Sequence, residues 1–422
     1  MSVAAAGEEP KLRAVLASPK MLAILLLAGA SGFPNQLPES ALQAWLKDVG
    51  TSNTTIGLIS YVALPYLLKP LWAPLVDRYP LPFLGRRRGW ILAMQLAIAV
   101  ALAALALQAP AVSLTGVAVC ALAIFFFSAT QDISIDAYRT DVSGPSERGL
   151  AAAAANLGYR TASYGALAVA LVIADHFGWR LAFLILAGAM LLFCIATLRA
   201  PSTDNRYQPR SLRESVVAPL KELLGTPSAL TFIAVVLLFK IGDAFANKLF
   251  TPFMMDVGFS KTDIGVIIKP LFTAGSLVGS VLGGVLMVRL GLLRSMLGFG
   301  VLQALSNLLY CVVAAVGKSV AFVCVAVFVE HVAAALGNIA LVALIMALCD
   351  PRYSAFQYAL LSAIALLPRY SLGYPAGWIA DHGGWYLYYV VSFVIALPGL
   401  AMVWLTRVRI GALDQLRARE QP

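Results

Sequence analysis

The chain is short of charge. Only 12% of its 422 residues are Asp, Glu, Lys or Arg, about half the share a soluble chain carries. Apolar residues take their place: 60% of the chain is hydrophobic and the mean hydropathy is +0.83. This composition describes an integral membrane protein. Histidine is scarce, at 3 residues, and His331 alone lies inside an apolar run. The five cysteines (Cys120, Cys194, Cys311, Cys324, Cys349) occupy apolar segments without CxxC spacing. They read as small packing residues, neither disulfides nor metal ligands. No Walker loop, nucleophile elbow or metal-ligand cluster is found. These absences argue against a membrane-embedded enzyme and imply no cofactor and no metal. Residues 1–20 are polar and the first apolar stretch outruns a signal-peptide core, so no cleavable signal is expected.

Twelve apolar segments follow, at approximately 19–47, 53–76, 89–108, 112–140, 148–174, 179–199, 227–255, 262–288, 294–316, 319–349, 354–380 and 385–406. Each can cross a hydrocarbon core that takes about 20 helical residues. The formal charge of +10 invites a nucleic-acid reading, which the placement of the cations opposes. About twenty of the Lys and Arg residues fall in the two tails and in alternate loops, among them Arg78, Arg86, Arg87, Arg88, Arg206, Arg210, Arg213, Lys221, Arg289, Arg294 and Arg352. Only Lys47, Arg180, Lys261 and Lys318 fall in the other loops. That asymmetry puts both termini in the cytoplasm.

The chain repeats itself. Asp48-Val49-Gly50-Thr51-Ser52-Asn53-Thr54-Thr55-Ile56-Gly57-Leu58-Ile59 matches residues 256–267 at eight of twelve positions, at an offset of 208. Ala174-Asp175-His176-Phe177-Gly178-Trp179 matches residues 380–385 at an offset of 206. A six-helix unit has been duplicated in the same orientation. The expected organisation is an N-tail (1–18), a six-helix half (19–199), a central loop (200–226), a second half (227–406) and a C-tail (407–422), with tails and central loop cytoplasmic. Parallel six-helix repeats describe the major facilitator architecture, all-α, with substrate bound between the halves. Asp77-Arg78 followed by Gly85-Arg86-Arg87-Arg88-Gly89 is similar to that fold's signature loop; the second-half counterpart, Val288-Arg289-Leu290-Gly291, lacks the acid. Gly32, Pro34 and Pro38 break segment one ahead of Glu39, a break tolerated where backbone faces a cavity or a neighbouring helix. Gly275, Gly279 and Gly283 recur every fourth residue on segment eight, the spacing of a close helix crossing.

Charges inside the membrane are expensive and mark function. Asp132 and Asp136 share one face of segment four. Counting 1.5 Å per residue, Asp132 lies about 13 Å from the cytoplasmic end, and Arg160 on segment five reaches about 18 Å. The comparable depths make Asp132–Arg160 the first expectation for an ion pair, with Asp136–Arg139 as the local alternative. Asp136 also suits a cytoplasmic gate with Asp77, Arg78, Arg86, Arg139, Asp141 and Arg148. Glu330, at the middle of segment ten, the repeat equivalent of segment four, is a second proton site; Asp243 is a third, with Lys240 three residues before it to neutralise it. Lys69, Arg139, Arg160, Lys240, Lys248, Lys269 and Arg369 outnumber the acids Glu39, Asp132, Asp136, Asp243 and Glu330, which suits an anionic substrate. Gln43, Tyr61, Trp72, Tyr159 and Tyr374 are candidate substrate contacts, and the aromatics serve equally as packing or interfacial anchors.

Gln131-Asp132-Ile133 with Asp136-Ala137, Thr140-Asp141, Glu147-Arg148-Gly149 and Gly158-Tyr159-Arg160 closely resembles the AmpG family of muropeptide permeases. So do residues 83–90, Lys240-Ile241-Gly242-Asp243-Ala244, Thr251-Pro252-Phe253 and residues 258–265. The resemblance implies a proton-driven importer of the bacterial inner membrane. Its cargo would be N-acetylglucosaminyl-anhydro-N-acetylmuramic acid with or without stem peptide, serving peptidoglycan recycling and β-lactamase induction. It also implies functional roles for Asp132 and Asp136. The implied partners are an anionic glycopeptide, protons and the bilayer, with no nucleic acid, and the chain is expected to act as a monomer. A facilitator for another anion, such as an acyl-coenzyme A or a siderophore-like compound, is the alternative. A drug exporter is disfavoured, since segment five carries Arg160 where a Pro-Gly antiporter pattern would stand.

Overall fold

The computed structural model describes residues 18–79, 81–143, 148–202, 221, 225, 228–348 and 354–412. Its elements are helices, and the sequence marks where they start and break. Ser18 caps α1, accepting from the Met21 amide. This helix runs Pro19–Gly32, loosens at Pro34 into a π-turn over Leu37–Ala41, and resumes as Leu42–Asp48. Ser52 caps α2, which starts as Asn53–Ile59 and then proceeds in short pieces to Arg78. Pro65, Pro70 and Pro74 each remove an amide donor from that stretch.

The next four are longer and more regular: α3 (Gly85–Ala106), α4 (Leu114–Val142), α5 (Arg148–Phe177) and α6 (Trp179–Arg199). α7 comprises Ala229–Ala246 and Phe250–Val257. A capping box between Ser260 and Asp263 starts α8 (261–290), which Gly291 separates from α9 (292–316). α10 is Val320–Leu348, α11 comprises Ser354–Ser371 and 373–383, and α12 is 385–405.

Among the described residues nine stretches are long and apolar enough to cross a membrane. Two of them, Lys261–Val316 and Leu360–Leu405, are each broken by a non-helical glycine, Gly291 or Gly384. With α1, whose pieces are individually short, the spans number twelve. The duplication shows in the backbone itself. Gly50 and Gly258, Gly85 and Gly291, and Gly178 and Gly384 all have positive φ at offsets of 206 or 208, a conformation that side chains other than glycine's rarely adopt.

Contacts divide the chain into two compact units. One holds Met1–Gln36, Leu68–Ala170 and Trp179–Gln208; the other holds Leu37–Leu67, Leu171–Gly178 and Pro209–Pro422. In the first, Ala23, Leu27, Ile91, Ile135 and Tyr138 form a core cluster. α1 crosses α5 at glycines: a Cβ on Gly32 would lie 2.2 Å from the Tyr159 carbonyl oxygen, and one on Gly158 would lie 2.1 Å from that of Leu25. In the second unit Val235, Phe239, Met296, Leu336 and Leu344 pack together. The glycine stripe of α8 meets α10 as its spacing suggests, with a Cβ on Gly279 only 2.4 Å from the Val332 carbonyl oxygen. Polarity is inverted relative to a soluble protein. Val100, Leu192, Val281 and Leu405 are exposed, while Gln95, Gln131, Asn307 and Glu330 are fully buried, as expected where the solvent is lipid.

Candidate functional site

Polar side chains gather at two places, one in each unit. In the first unit the glycine crossing of α1 and α5 brings Ser31 beside α4. Asp132 accepts a hydrogen bond from the Ser31 hydroxyl and forms an ion pair with the Lys69 ammonium. Lys69 opens a 3-10 turn of α2, Lys69–Leu71, that contains Pro70, and that irregular stretch also sends the Trp72 indole N–H to the Thr130 hydroxyl at 3.0 Å. A cavity of about 210 Å³ adjoins, lined among others by Ser31, Asp132, Asp136, Arg139, Asn156 and Tyr159.

The partner expected for Asp132 from depth alone was Arg160. The structure pairs it with Lys69 instead, and Arg160 is exposed, its Nε donating to the Asn156 side chain at 3.1 Å. Equal depth does not mean equal azimuth, and Arg160 projects from another face of α5. The local pair Asp136–Arg139 is present at 3.2 Å, half-exposed. The two aspartates therefore differ: Asp132 is 15% exposed and Asp136 53%.

The gating candidates concentrate where α3 begins and α4 ends. Arg87 Nε donates to Asp141 at 3.0 Å, with Arg86 at 3.9 Å, and both arginines are buried. Arg88 donates to the Thr197 and Leu198 carbonyls and so caps the end of α6. The side chains of Glu39, Asp77, Arg78 and Arg148 lie outside the described residues.

In the second unit Glu330 is fully buried. Its carboxylate accepts from the Asn247 amide at 3.0 Å and the Tyr310 hydroxyl at 3.3 Å, and lies 2.6 Å from His331 Nδ1. Asn247 also contacts Asp243 at 3.3 Å, and Asp243 pairs with Lys240 at 2.5 Å. One amide thus joins the two acids. Lys248, 4% exposed, donates to the Arg369 carbonyl at 2.7 Å. Lys269, 5% exposed, stands over the rings of Phe250 and Phe272 at 5.3 and 4.4 Å, a stabilising arrangement for a desolvated cation. Gln43 donates to the Lys248 carbonyl, and Tyr61 to that of Ser371. Tyr374 is exposed and donates its amide to the Tyr61 hydroxyl.

Sequence reasoning missed Ser31, Asn156, Asn247 and Tyr310, and it chose Arg86 over Arg87. Polar residues isolated in apolar segments were the available signal for the first three. For Arg87, the helical phase of three consecutive arginines had to be known.

Among the described residues no group of His, Cys, Asp and Glu could hold a metal ion. The arrangement holds charges as ion pairs within a bundle of apolar helices. The sequence profile of the Major Facilitator Superfamily matches residues 24–268 and 240–421. The chain is 40% identical to "Anhydromuropeptide permease" of Escherichia coli strain K12 over 396 residues, 93% of this chain and 81% of that one. It is 30% identical to "Putative transporter AmpG 4" of Rickettsia conorii, over 93% of this chain and 97% of the relative. A crystal structure of a bacterial homologue of the human lysosomal transporter Spinster superposes with a TM-score of 0.73 at 16% identity, covering 97% of this chain and 99% of the other; that likeness concerns the fold alone. The chain belongs to the major facilitator superfamily and, within it, to the AmpG family of multi-pass membrane transporters.

Proposed function

We propose that the chain imports anhydromuropeptides (N-acetylglucosaminyl-anhydro-N-acetylmuramic acid with or without its stem peptide) from periplasm to cytoplasm, driven by protons. The reading includes an inner-membrane location, cytoplasmic termini, two six-helix halves at 19–199 and 227–406, and action as a monomer. Import of this kind supplies peptidoglycan recycling and carries the signal for β-lactamase induction. Kinship to the E. coli permease over 93% of the chain supports the cargo.

The observation that carries the mechanism is the Asp132–Lys69 pair beside a cavity. A muropeptide presents carboxylates. A carboxylate entering here competes for the Lys69 ammonium and leaves Asp132 without its counter-charge. A carboxylate desolvated and stripped of its cation favours its neutral form, so Asp132 takes up a proton as the anion binds. Ser31 holds the carboxyl oriented throughout. The charge of the site is the same before and after, which suits movement through a medium where net charge is costly. Arg139 and Tyr159, which line the same cavity, complete the anion- and sugar-binding wall. Arg86, Arg87 and Asp141 form the cytoplasmic gate, with Asp77, Arg78 and Arg148. Glu330 and Asp243 with Lys240, Lys248, Lys269 and Arg369 provide the counterpart set in the second unit.

Uptake of labelled anhydromuropeptide into membrane vesicles, with and without an inward proton gradient, tests this directly. Accumulation that needs the gradient supports the reading, and uptake indifferent to pH sinks the coupling. Uptake of another anion such as an acyl-coenzyme A, with none of the muropeptide, transfers the site to that cargo.

A further inference from the structure

In the first compact unit α1 borders two cavities. Ala28 and Ser31 line the one beside Asp132, and Leu22 and Leu26 line another, of about 710 Å³. α5 is shared in the same way: Asn156 and Tyr159 line the first cavity, Ala162 and Gly165 the second. α6 completes the second cavity, a groove on the outside of the unit whose lining residues Leu192 and Ile195 are exposed. Small residues make the room, and a Cβ added at Gly165 would meet nothing within 4 Å. The volume falls in the range of sites that bind small molecules, roughly 300–1,000 Å³. The exchange of charge at Asp132 makes no use of it.

The groove is asymmetric. Among the described residues its lining is apolar except for Arg199, which stands at the end of α6 and is exposed. Pro19, at the start of α1, lines the same groove, and its neighbour Lys20 is exposed too. Arg88 caps the last carbonyls of α6, so the helix end does not require Arg199 for that. Away from Arg199 the wall is greasy, with the Phe33 and Phe193 rings edge to face at 5.6 Å. The α6 wall from Arg199 to Ile185 extends about 21 Å at the helical rise. An acyl chain that reaches the middle of a bilayer core needs about 15 Å. A slot this long, apolar along its length and cationic at one end, complements an amphiphile with a negative head. Basic sites at membrane helix ends take phosphate headgroups, and each methylene buried beside them adds to the binding.

We propose that the groove between α1, α5 and α6 binds one anionic phospholipid, an acyl chain lying along the apolar wall and the phosphate held by Arg199. The lipid braces the α1–α5 wall from behind, on the side away from Ser31 and Tyr159. Neither the cargo nor the proton enters this assignment, so it stands or falls separately from the transport reading.

Native mass spectrometry of the full-length protein in detergent tests it, with dioleoylphosphatidylglycerol or dioleoylphosphatidylcholine added at equal concentration. The unmodified protein is expected to retain one phosphatidylglycerol in preference to phosphatidylcholine. Arg199→Gln should lower that preference roughly fivefold, the worth of one basic side chain at an anionic lipid surface. Gly165→Leu fills the groove and should lower retention of both lipids at least as much. Gly188→Leu is the control: it lies on α6 outside the lining and is equally open to a Cβ, so retention should not change. Equal retention of the two lipids by the unmodified protein, or of neither, overturns the proposal, as does unchanged retention by folded Gly165→Leu. Arg199 is exposed, so Arg199→Gln folds whatever Gly165→Leu does, and an undiminished preference in it overturns the proposal by itself. A dimer in the unmodified protein that Gly165→Leu dissolves gives the groove to a second copy and overturns the lipid.

Discussion

Asp132→Asn, Lys69→Gln and the double variant test whether the pair is an exchangeable charge couple or a fixed strut. The two side chains are 15% and 29% exposed, so screening by water is partial. Unit charges about 3 Å apart at an effective dielectric of ~20 attract by roughly 5 kcal/mol. Desolvation cancels much of that, leaving a coupling of about 1–3 kcal/mol. Lys69→Gln should therefore lower stability more than the double variant does, because it alone leaves a carboxylate facing the cavity without its cation. Thermal unfolding in a lipid nanodisc measures this cycle.

Transport supplies the second axis. A pH difference of one unit is worth about 1.4 kcal/mol per proton, so one-for-one symport concentrates its solute about tenfold. Asp132→Asn should lose that accumulation while still exchanging labelled for unlabelled substrate at equal concentrations. Lys69→Gln should weaken binding of the carboxylate-bearing substrate and raise its KM. Stabilities that add within about 0.5 kcal/mol show no coupling, and tenfold accumulation by Asp132→Asn removes the proton role. Either result refutes the exchange.

Other consequences follow from single contacts. Arg87→Ala should destabilise the protein by about 1–2 kcal/mol, more than Arg86→Ala, because Arg87 makes the closer contact with Asp141; comparing the two melting temperatures decides. Gly279→Ala forces a Cβ against the Val332 carbonyl at 2.4 Å, whereas Gly284→Ala on the same helix meets nothing within 4 Å. The first should lower the melting temperature and the second leave it unchanged or raised, since alanine favours a helix interior by roughly 1 kcal/mol over glycine. Glu330→Gln keeps a hydrogen-bonding group among Asn247, Tyr310 and His331, so it should fold; a flattened pH dependence of uptake marks Glu330 as a proton carrier, and an unchanged one marks it as structural.

Much of this protein could be read before any coordinates. Hydropathy gave the spans because lipid demands continuous apolar helices. Duplication was visible in Asp48–Ile59 and its copy because turn glycines and helix caps tolerate few alternatives. Gly178 and Gly384, left-handed at equivalent positions, show the chemistry behind that. Breaks at Pro34 and Pro38 were equally plain, since proline has no amide to donate.

Partner choice was another matter. Depth along a regular helix follows from counting residues, and Asp136–Arg139, three apart on α4, was found that way. Asp132 meets Lys69, 63 residues away, across a stretch of α2 reduced to short turns by prolines. Once the helix is irregular, neither the rise per residue nor the facing direction can be counted. Likewise Asn247 joins Asp243 to Glu330 only because α7 and α10 pack together, and the carboxylates of Asp175 and Asp381 accept from the Thr262 and Thr54 amides, 87 and 327 positions away. The sequence by itself determined the membrane class, the spans, the repeat and the family, since all rest on local chemistry. Tertiary structure alone decided which charges meet between helices, because that pairing depends on the rotation of each helix and on where irregular backbone turns a side chain inward.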